Sequence, residues 1–339
     1  MRHLKISASL LASIVLVTAA GCGSDDATNT TATDAARLPA AAKATLVLDY
    51  LPNAVHAGIY RAQAAGYYRG NNLNLRIIPP TSTSDTLKLI DAGKADFGIA
   101  DGIDLAGQID AGRHAQALMA VVQRPLGGII TLKKAGITSP KQLEGKTVGI
   151  TGVPSDTAVL DTIIRDDGGD PKKVKRITIG FGGVAALENE KVDAFVGFYA
   201  ADGVQVEQDG YPTTTFAFDD HGGPRYPGLV AFTTRRKAAA EPALLQAFVA
   251  ATIKGYEDTI KDPKTSLNDL LAGARGLKRP LAAAQLAAYG PLFQADAPAF
   301  GPINPDDVSG LSDFLVQAKL IKAPIAPTRY ATDAALPKR

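Results

Sequence analysis

The feature that most constrains this chain is a regular alternation of short β-type runs with helical ones between Thr45 and Gly197. Thr45 to Asp49 reads as a strand and Asn53 to Gly66 as a helix. Asn74 to Pro79 is the next strand, and Asp85 to Ala92 a helix stopped by Gly93. Then come a strand over Ala95 to Ala100, a helix over Ile103 to Ala111 and a strand over Ala117 to Gln123. Such alternation predicts an α/β fold built on parallel sheet, with helices on both faces. A second series follows Arg124-Pro125-Leu126-Gly127-Gly128. Its strands lie near Thr147 to Thr151, Arg176 to Gly180 and Val192 to Gly197, and its helices near Ser155 to Asp166 and Val184 to Glu190. From Glu241 onward the pattern is almost purely helical.

A faint internal echo fits two units of one kind. Leu87 to Ile99 reads LKLIDAGKADFGI, and Ala185 to Gly197 reads AALENEKVDAFVG. Each is a short helix, a basic residue and an aspartate opening a buried strand; Asp96 and Asp193 read as structural turn residues. The expected organisation is two α/β lobes, one from 44–126 plus 225–339 and the other from 127–224. Two chain crossings between them would act as a hinge. Ligands of open α/β sheets sit beyond the carboxyl ends of the strands, so two facing edges would form a cleft able to close on a solute.

The N-terminus points to a compartment. Arg2, His3 and Lys5 precede an apolar run from Ile6 to Ala20 that suits a secretory signal better than a bilayer span. Ala19-Ala20-Gly21-Cys22 ends it with small residues, as lipoprotein cleavage requires, although Ala19 stands where leucine is usual. Residues 1–21 are therefore expected to be a signal peptide, with lipid on Cys22 holding the protein to the extracytoplasmic face of a membrane. Cys22 is the only cysteine, and lipidation would consume a thiol otherwise exposed to oxidation. Residues 22–43, rich in Ala, Thr and Asp, read as a flexible tether. Without Arg2 and Lys5 the chain has 34 basic residues against 34 acidic ones. A neutral balance with no basic run argues against a nucleic-acid partner.

The densest polar constellation is Asp49-Tyr50-Leu51-Pro52-Asn53-Ala54-Val55-His56, with Tyr60 one turn later. Asn53, His56 and Tyr60 are spaced three and four apart, which puts them on one helical face over the strand ends. Capping could account for Asn53 alone, but not for the whole set, so these residues are expected to bind ligand. Thr81-Ser82-Thr83-Ser84-Asp85 precedes a helix, where Ser82 could help hold an anion or simply cap. Asp101 stands just beyond the third strand. Thr151-Gly152-Val153-Pro154-Ser155-Asp156 repeats the Thr81–Asp85 layout, with Gly152 allowing close approach and Ser155 offering a hydroxyl. Gly180-Phe181-Gly182-Gly183 lacks the spacing of a nucleotide fingerprint and reads as a turn. Phe198-Tyr199-Ala200-Ala201-Asp202 ends the last strand of the second series. There Tyr199 could stack on a flat ring and Asp202 accept its N–H groups, with Phe198 in the core.

Catalytic signatures are missing. His56, His114 and His221 lie far apart, and the sequence has no zinc spacing, nucleophile elbow or phosphate-binding lysine loop. No metal or cofactor is expected.

Leu48 to Pro80, LDYLPNAVHAGIYRAQAAGYYRGNNLNLRIIPP, resembles the opening of solute-binding proteins for thiamine pyrimidine precursors. This group is similar to the yeast-type hydroxymethylpyrimidine synthases. The resemblance runs on through SDTLKLIDAGKADFGIAD, ITSPKQLEGKTVGITGVPSD and AADGVQVEQDGYPTTTFAFDDHGGPRYPGLV, over roughly residues 45–235. It implies the type 2 periplasmic-binding fold, a substituted aminopyrimidine ligand (hydroxymethyl- or formylamino-pyrimidine), and an ABC permease and ATPase as partners of a monomer. Tyr50, Asn53, His56, Tyr60, Tyr199 and Asp202 match positions expected to line its pocket. Tyr50 stands where tryptophan is frequent, and Asp202 where glutamate is usual. The synthases need a lysine for pyridoxal phosphate, a histidine consumed as substrate and a cysteine cluster. The matching positions here are Ala100 and Asp104, so synthase activity is not expected. Related proteins bind riboflavin, sulfonates or nitrate, and these, with a degenerate synthase-like enzyme, remain the alternatives; Asp202 argues against an anionic ligand.

Overall fold

A computed structural model describes residues 36–82 and 84–338. The expected signal peptide, Cys22 and the expected tether up to residue 35 lie outside the described residues. The tether was expected to run to Lys43, but the chain is packed from Ala36 onward. Leu38 is buried and its N–H donates to Asn71 O at 3.1 Å.

The ten strands are β1 (Ala42–Val47), β2 (Leu73–Ile78), β3 (Phe97–Asp101), β4 (Ala115–Val122), β5 (Gly127–Leu132), β6 (Thr147–Ile150), β7 (Lys175–Thr178), β8 (Ala194–Phe198), β9 (Thr213–Ala217) and β10 (Leu229–Thr234). They form two five-stranded sheets, ordered β2-β1-β3-β10-β4 and β7-β6-β8-β5-β9. The helices are α1 (Ala57–Ala64), α2 (Tyr67–Gly70), α3 (Asp85–Asp91), α4 (Gly102–Asp110), α5 (Pro154–Asp166), α6 (Gly183–Glu188), α7 (Val204–Gln208), α8 (Arg235–Ala240), α9 (Pro242–Lys261), α10 (Pro263–Gly273), α11 (Arg279–Gln294), α12 (Pro305–Gln317) and α13 (Pro327–Tyr330).

The expectation of purely parallel sheet needs correction. β1, β2 and β3 pair in parallel, but β10 returns between β3 and β4 and is antiparallel to both. In the second sheet β5 is likewise antiparallel to β8 and β9. β5 and β10 are short runs that no α-helix directly precedes, and β9 follows only the five-residue α7, so helix–strand alternation does not reveal them.

Within each sheet an aspartate ties two parallel strands at the same place. Asp96 Oδ2 accepts from Thr45 N at 2.7 Å, and its own N–H donates to Thr45 O at 3.0 Å. Asp193 does the same with Thr147, at 2.8 Å for both bonds. The sequence echo is thus a shared strand-entry device.

α1 is held by an unusually close crossing with α9. A Cβ on Gly255 would fall 2.1 Å from Gly58 O, and one on Gly58 would fall 2.3 Å from the Tyr256 ring. Only glycine permits that approach. The Tyr256 hydroxyl then donates to Val55 O at 2.8 Å. This crossing fixes the turn that carries Asp49 to His56, which places it above the end of β1.

Candidate functional site

The carboxyl ends of β1, β3, β6 and β8, with the loop after β7, converge on one cleft between the sheets. Asp49 and Tyr50 enter it from β1, Asp101 from β3, Ser155 and Asp156 from beyond β6, Phe181 from beyond β7, and Phe198 and Asp202 from β8. Asp104, one turn into α4, and Tyr226, just before β10, join the polar lining, with Thr86 and Thr151. Five aspartates therefore face one cavity, and no lysine, arginine or histidine lines it.

Two contacts cross the cleft. Ser155 Oγ donates to Asp104 Oδ1 at 2.6 Å. The rings of Tyr50 and Phe181 meet edge to face, centroids 4.4 Å apart, and the Tyr50 hydroxyl reaches Phe181 O at 3.5 Å. Burial, then the charges of Asp202 and Asp49, disfavours ionisation of Tyr50, so its hydroxyl stays a donor.

The carboxylates are held away from water at a cost to their ionised forms. Burial pushes Asp202 up to about 6, although Phe198 N–H donates to its Oδ2 at 2.8 Å. Burial lifts Asp104 to about 7, opposed by the Ser155 bond and reinforced by Asp156. Asp101 is raised well above the carboxylate range, by burial first and then by Asp104, although it accepts from Ile103 N at 2.9 Å. Asp156 is raised as well, again by burial. Gly197 makes room for Asp202, since a Cβ there would come within 2.8 Å of its Oδ2.

The structure redistributes the expected site. Asp49, Tyr50, Asp101, Ser155 and Asp202 line the cleft, whereas Asn53, His56, Tyr60, Ser82, Gly152 and Tyr199 do not. Asn53 caps a 3₁₀ turn over Ala54–His56 by accepting from Val55 N at 2.9 Å. His56 is fully buried behind Asp49; its Nδ1 accepts from Asn53 N–H at 3.2 Å, which leaves Nε2 to donate to Asp49 Oδ1 at 2.8 Å. His56 thus orients a cleft carboxylate without reaching the cavity. Tyr60 packs on Gly273 of α10, away from the cleft, because a 3₁₀ turn rotates each residue further than an α-helix does and breaks the expected common face. Tyr199 turns its hydroxyl to Pro125 O at 3.3 Å, on the segment that links β4 of one sheet to β5 of the other, and Phe198 takes the cleft position that Tyr199 was expected to hold.

The two loops that could have held an anion hold their own aspartates instead. Asp156 accepts from Thr151 N at 2.7 Å, Thr151 Oγ1 at 2.6 Å and Gly152 N at 3.2 Å. Asp85 accepts from Thr81 N at 3.1 Å and from the Thr81 hydroxyl, with Ser82 also bonded to it. An external anion would have to displace a carboxylate from either loop. Sequence reasoning missed Phe181, Phe198 and Tyr226 as lining residues, and gave Asp104 and Asp156 no binding role. The one legible signal was the spacing of Asp101 and Asp104 across the start of α4, which puts both carboxyls at one helix end.

Two mixed sheets with covering helices and a cleft at their strand ends define a periplasmic-binding-protein fold. The alkanesulfonate-binding protein SsuA from Xanthomonas axonopodis pv. citri, bound to MOPS, superposes with a TM-score of 0.69 over 87% of this chain and 99% of that one, at 16% identity. Within that fold the chain belongs to the NMT1/THI5-like family, whose model matches residues 53–266. A formylaminopyrimidine-binding protein of Halalkalibacterium halodurans is 30% identical over 83% of this chain and 82% of its own length. A 4-amino-5-hydroxymethyl-2-methylpyrimidine phosphate synthase of Legionella pneumophila is 27% identical over 70% of this chain and 76% of its own. The relatives thus carry both binding-protein and synthase names.

The cleft does not suit the pyridoxal phosphate of the synthases. No lysine lines it to hold the aldehyde, and its carboxylates would repel the phosphate. Among the described residues no cluster of histidine, cysteine and carboxylate is disposed to hold a metal, and no helix is long and apolar enough to cross a membrane.

Proposed function

We propose that this chain is the solute-binding component of an ABC importer, and that it captures a substituted aminopyrimidine in the cleft between its sheets. The observation that carries this reading is the lining: aromatic rings from Tyr50, Phe181 and Phe198 beside carboxylates, with no cation among them. A flat ring with exocyclic N–H groups would pack on the aromatic walls and donate to Asp202 and Asp49. A sulfonate or nitrate would instead be set among five carboxylates, which disfavours it strongly. The formylaminopyrimidine-binding relative supports the same ligand class. The absence of a lining lysine supports binding rather than synthase chemistry, and Cys22 is the only cysteine.

Lipid on Cys22 would anchor the protein at the extracytoplasmic face of the membrane, where it would deliver ligand as a monomer to a permease driven by an ATPase. A thermal-shift screen against hydroxymethyl- and formylamino-pyrimidines, riboflavin, taurine and nitrate tests the assignment. At about a hundred times Kd a true ligand adds roughly 2.7 kcal/mol to stability. Stabilisation by taurine or nitrate with none by the pyrimidines would overturn it.

A further inference from the structure

The carboxylates of the cleft are more numerous than a neutral aminopyrimidine needs. Asp202 and Asp49 suffice for ring and amine N–H groups. Asp101 and Asp104, at the start of α4, and Asp156, on the first turn of α5, form a second acidic wall. Asp156 is bonded within its own loop, whereas the one side-chain donor to Asp104 is the Ser155 hydroxyl, and Asp101 receives one backbone N–H.

An independent observation lies beside them. Tyr226 is completely buried, lines the same cavity, and its hydroxyl has no hydrogen-bond partner. A Cβ on Gly102, between Asp101 and Asp104, would fall 3.2 Å from the Tyr226 ring, so the tyrosine packs against the start of α4 that carries both aspartates. A buried hydroxyl without a partner is destabilising, so this one is left for something that enters the cleft.

We propose that Asp101, Asp104, Asp156 and the Tyr226 hydroxyl form an ammonium subsite, and that the ligand carries a protonated primary amine on a short arm from its ring. The proposal rests on the reading of this cleft as a ring-binding site. An ammonium has three donors and no acceptor, which suits the Asp101 and Asp104 carboxylates and the phenol oxygen, with Asp156, already bonded in its loop, adding its charge. It also relieves the mutual repulsion that now disfavours the ionised wall. A metal ion is a poorer occupant, since the described residues contain no cluster of side chains arranged to ligate one. A neutral arm, such as a hydroxymethyl or formamide, would leave at least one carboxylate unpaired.

The test is calorimetry on the full mature chain with two matched pairs of probes. One pair is a 4-aminopyrimidine bearing a 5-aminomethyl or a 5-hydroxymethyl arm; the other is benzylamine and benzyl alcohol. The amine of each pair should bind about tenfold or more tightly than its alcohol, as a charge-assisted bond implies. Asp104→Asn, close in shape, and Tyr226→Phe, which removes only the unpartnered oxygen, should each shrink that preference severalfold. If the pyrimidines bind but the alcohol matches or beats the amine, the ammonium subsite is refuted and the pyrimidine reading survives. If benzylamine beats benzyl alcohol while neither pyrimidine binds, the subsite stands and the pyrimidine reading fails. A preference that persists in both variants, or no binding by any of the four probes, also overturns the proposal.

Discussion

Replacing Asp202 with asparagine should strengthen the empty protein while weakening its hold on ligand. Asparagine keeps an oxygen where the carboxylate now accepts from Phe198 N–H at 2.8 Å, so the local backbone bond survives. What it removes is a charge that burial disfavours, shown by the rise of the Asp202 pKa from 3.8 to about 6. Each pKa unit is worth about 1.4 kcal/mol, so at neutral pH the ionised group costs the empty fold on the order of 3 kcal/mol. A chain of this size gains roughly 2 °C in Tm per kcal/mol, which gives a rise of about 6 °C. The same change takes away a charged acceptor worth about 1.5–3 kcal/mol to a ring amine, or roughly ten- to a hundredfold in affinity. Scanning fluorimetry of the empty variant reads the first effect. Calorimetry against an aminated pyrimidine and the same ring without its amine reads the second. If the empty variant is less stable than wild type and both rings bind it as before, Asp202 serves only to anchor the Phe198 backbone.

Three further outcomes follow from the same geometry. Asp104, Asp101, Asp156 and Asp202 all have folded pKa values above their unfolded ones, so the folded chain binds more protons than the unfolded chain between about pH 4 and 7. The Tm of the empty protein should therefore rise as pH falls from about 7.5 to 5, and greater stability at pH 8 than at pH 5 would contradict the desolvated cleft. Tyr60→Ala should cost about 2–4 kcal/mol of stability by emptying its packing against Gly273, yet leave ligand affinity within about twofold by calorimetry, since the ring is remote from the cleft; a tenfold affinity loss would return Tyr60 to the site. Cys22→Ala should leave the membrane fraction on detergent-free fractionation of the native host, because stable attachment needs more than one acyl chain; unchanged membrane association would end the lipoprotein reading.

Local pattern alone determined the α/β class, because strand and helix periods and the turns between them are properties of a few neighbouring residues. Asp96 and Asp193 were legible for the same reason: each acts at the entry of its own strand. The cleft residues nearest the strand ends, Asp49, Tyr50, Asp101, Ser155 and Asp202, could be found because open α/β sheets present ligands there. Tertiary structure decided the rest. β10 reads as a plain apolar run, and its place between β3 and β4 depends on a chain return more than a hundred residues after them. Asn53, His56 and Tyr60 share a face only if the chain is α-helical from Asn53, and the 3₁₀ turn at Ala54–His56 turns them apart. The loops at Thr81 and Thr151 offer donors in sequence, but which anion fills them is set by the reach of Asp85 and Asp156. Tyr226 joins Asp101 and Asp104 across more than a hundred residues, and no spacing along the chain encodes that its hydroxyl would be left without a partner. Desolvation, which raises these carboxylates, arises only when both sheets enclose them.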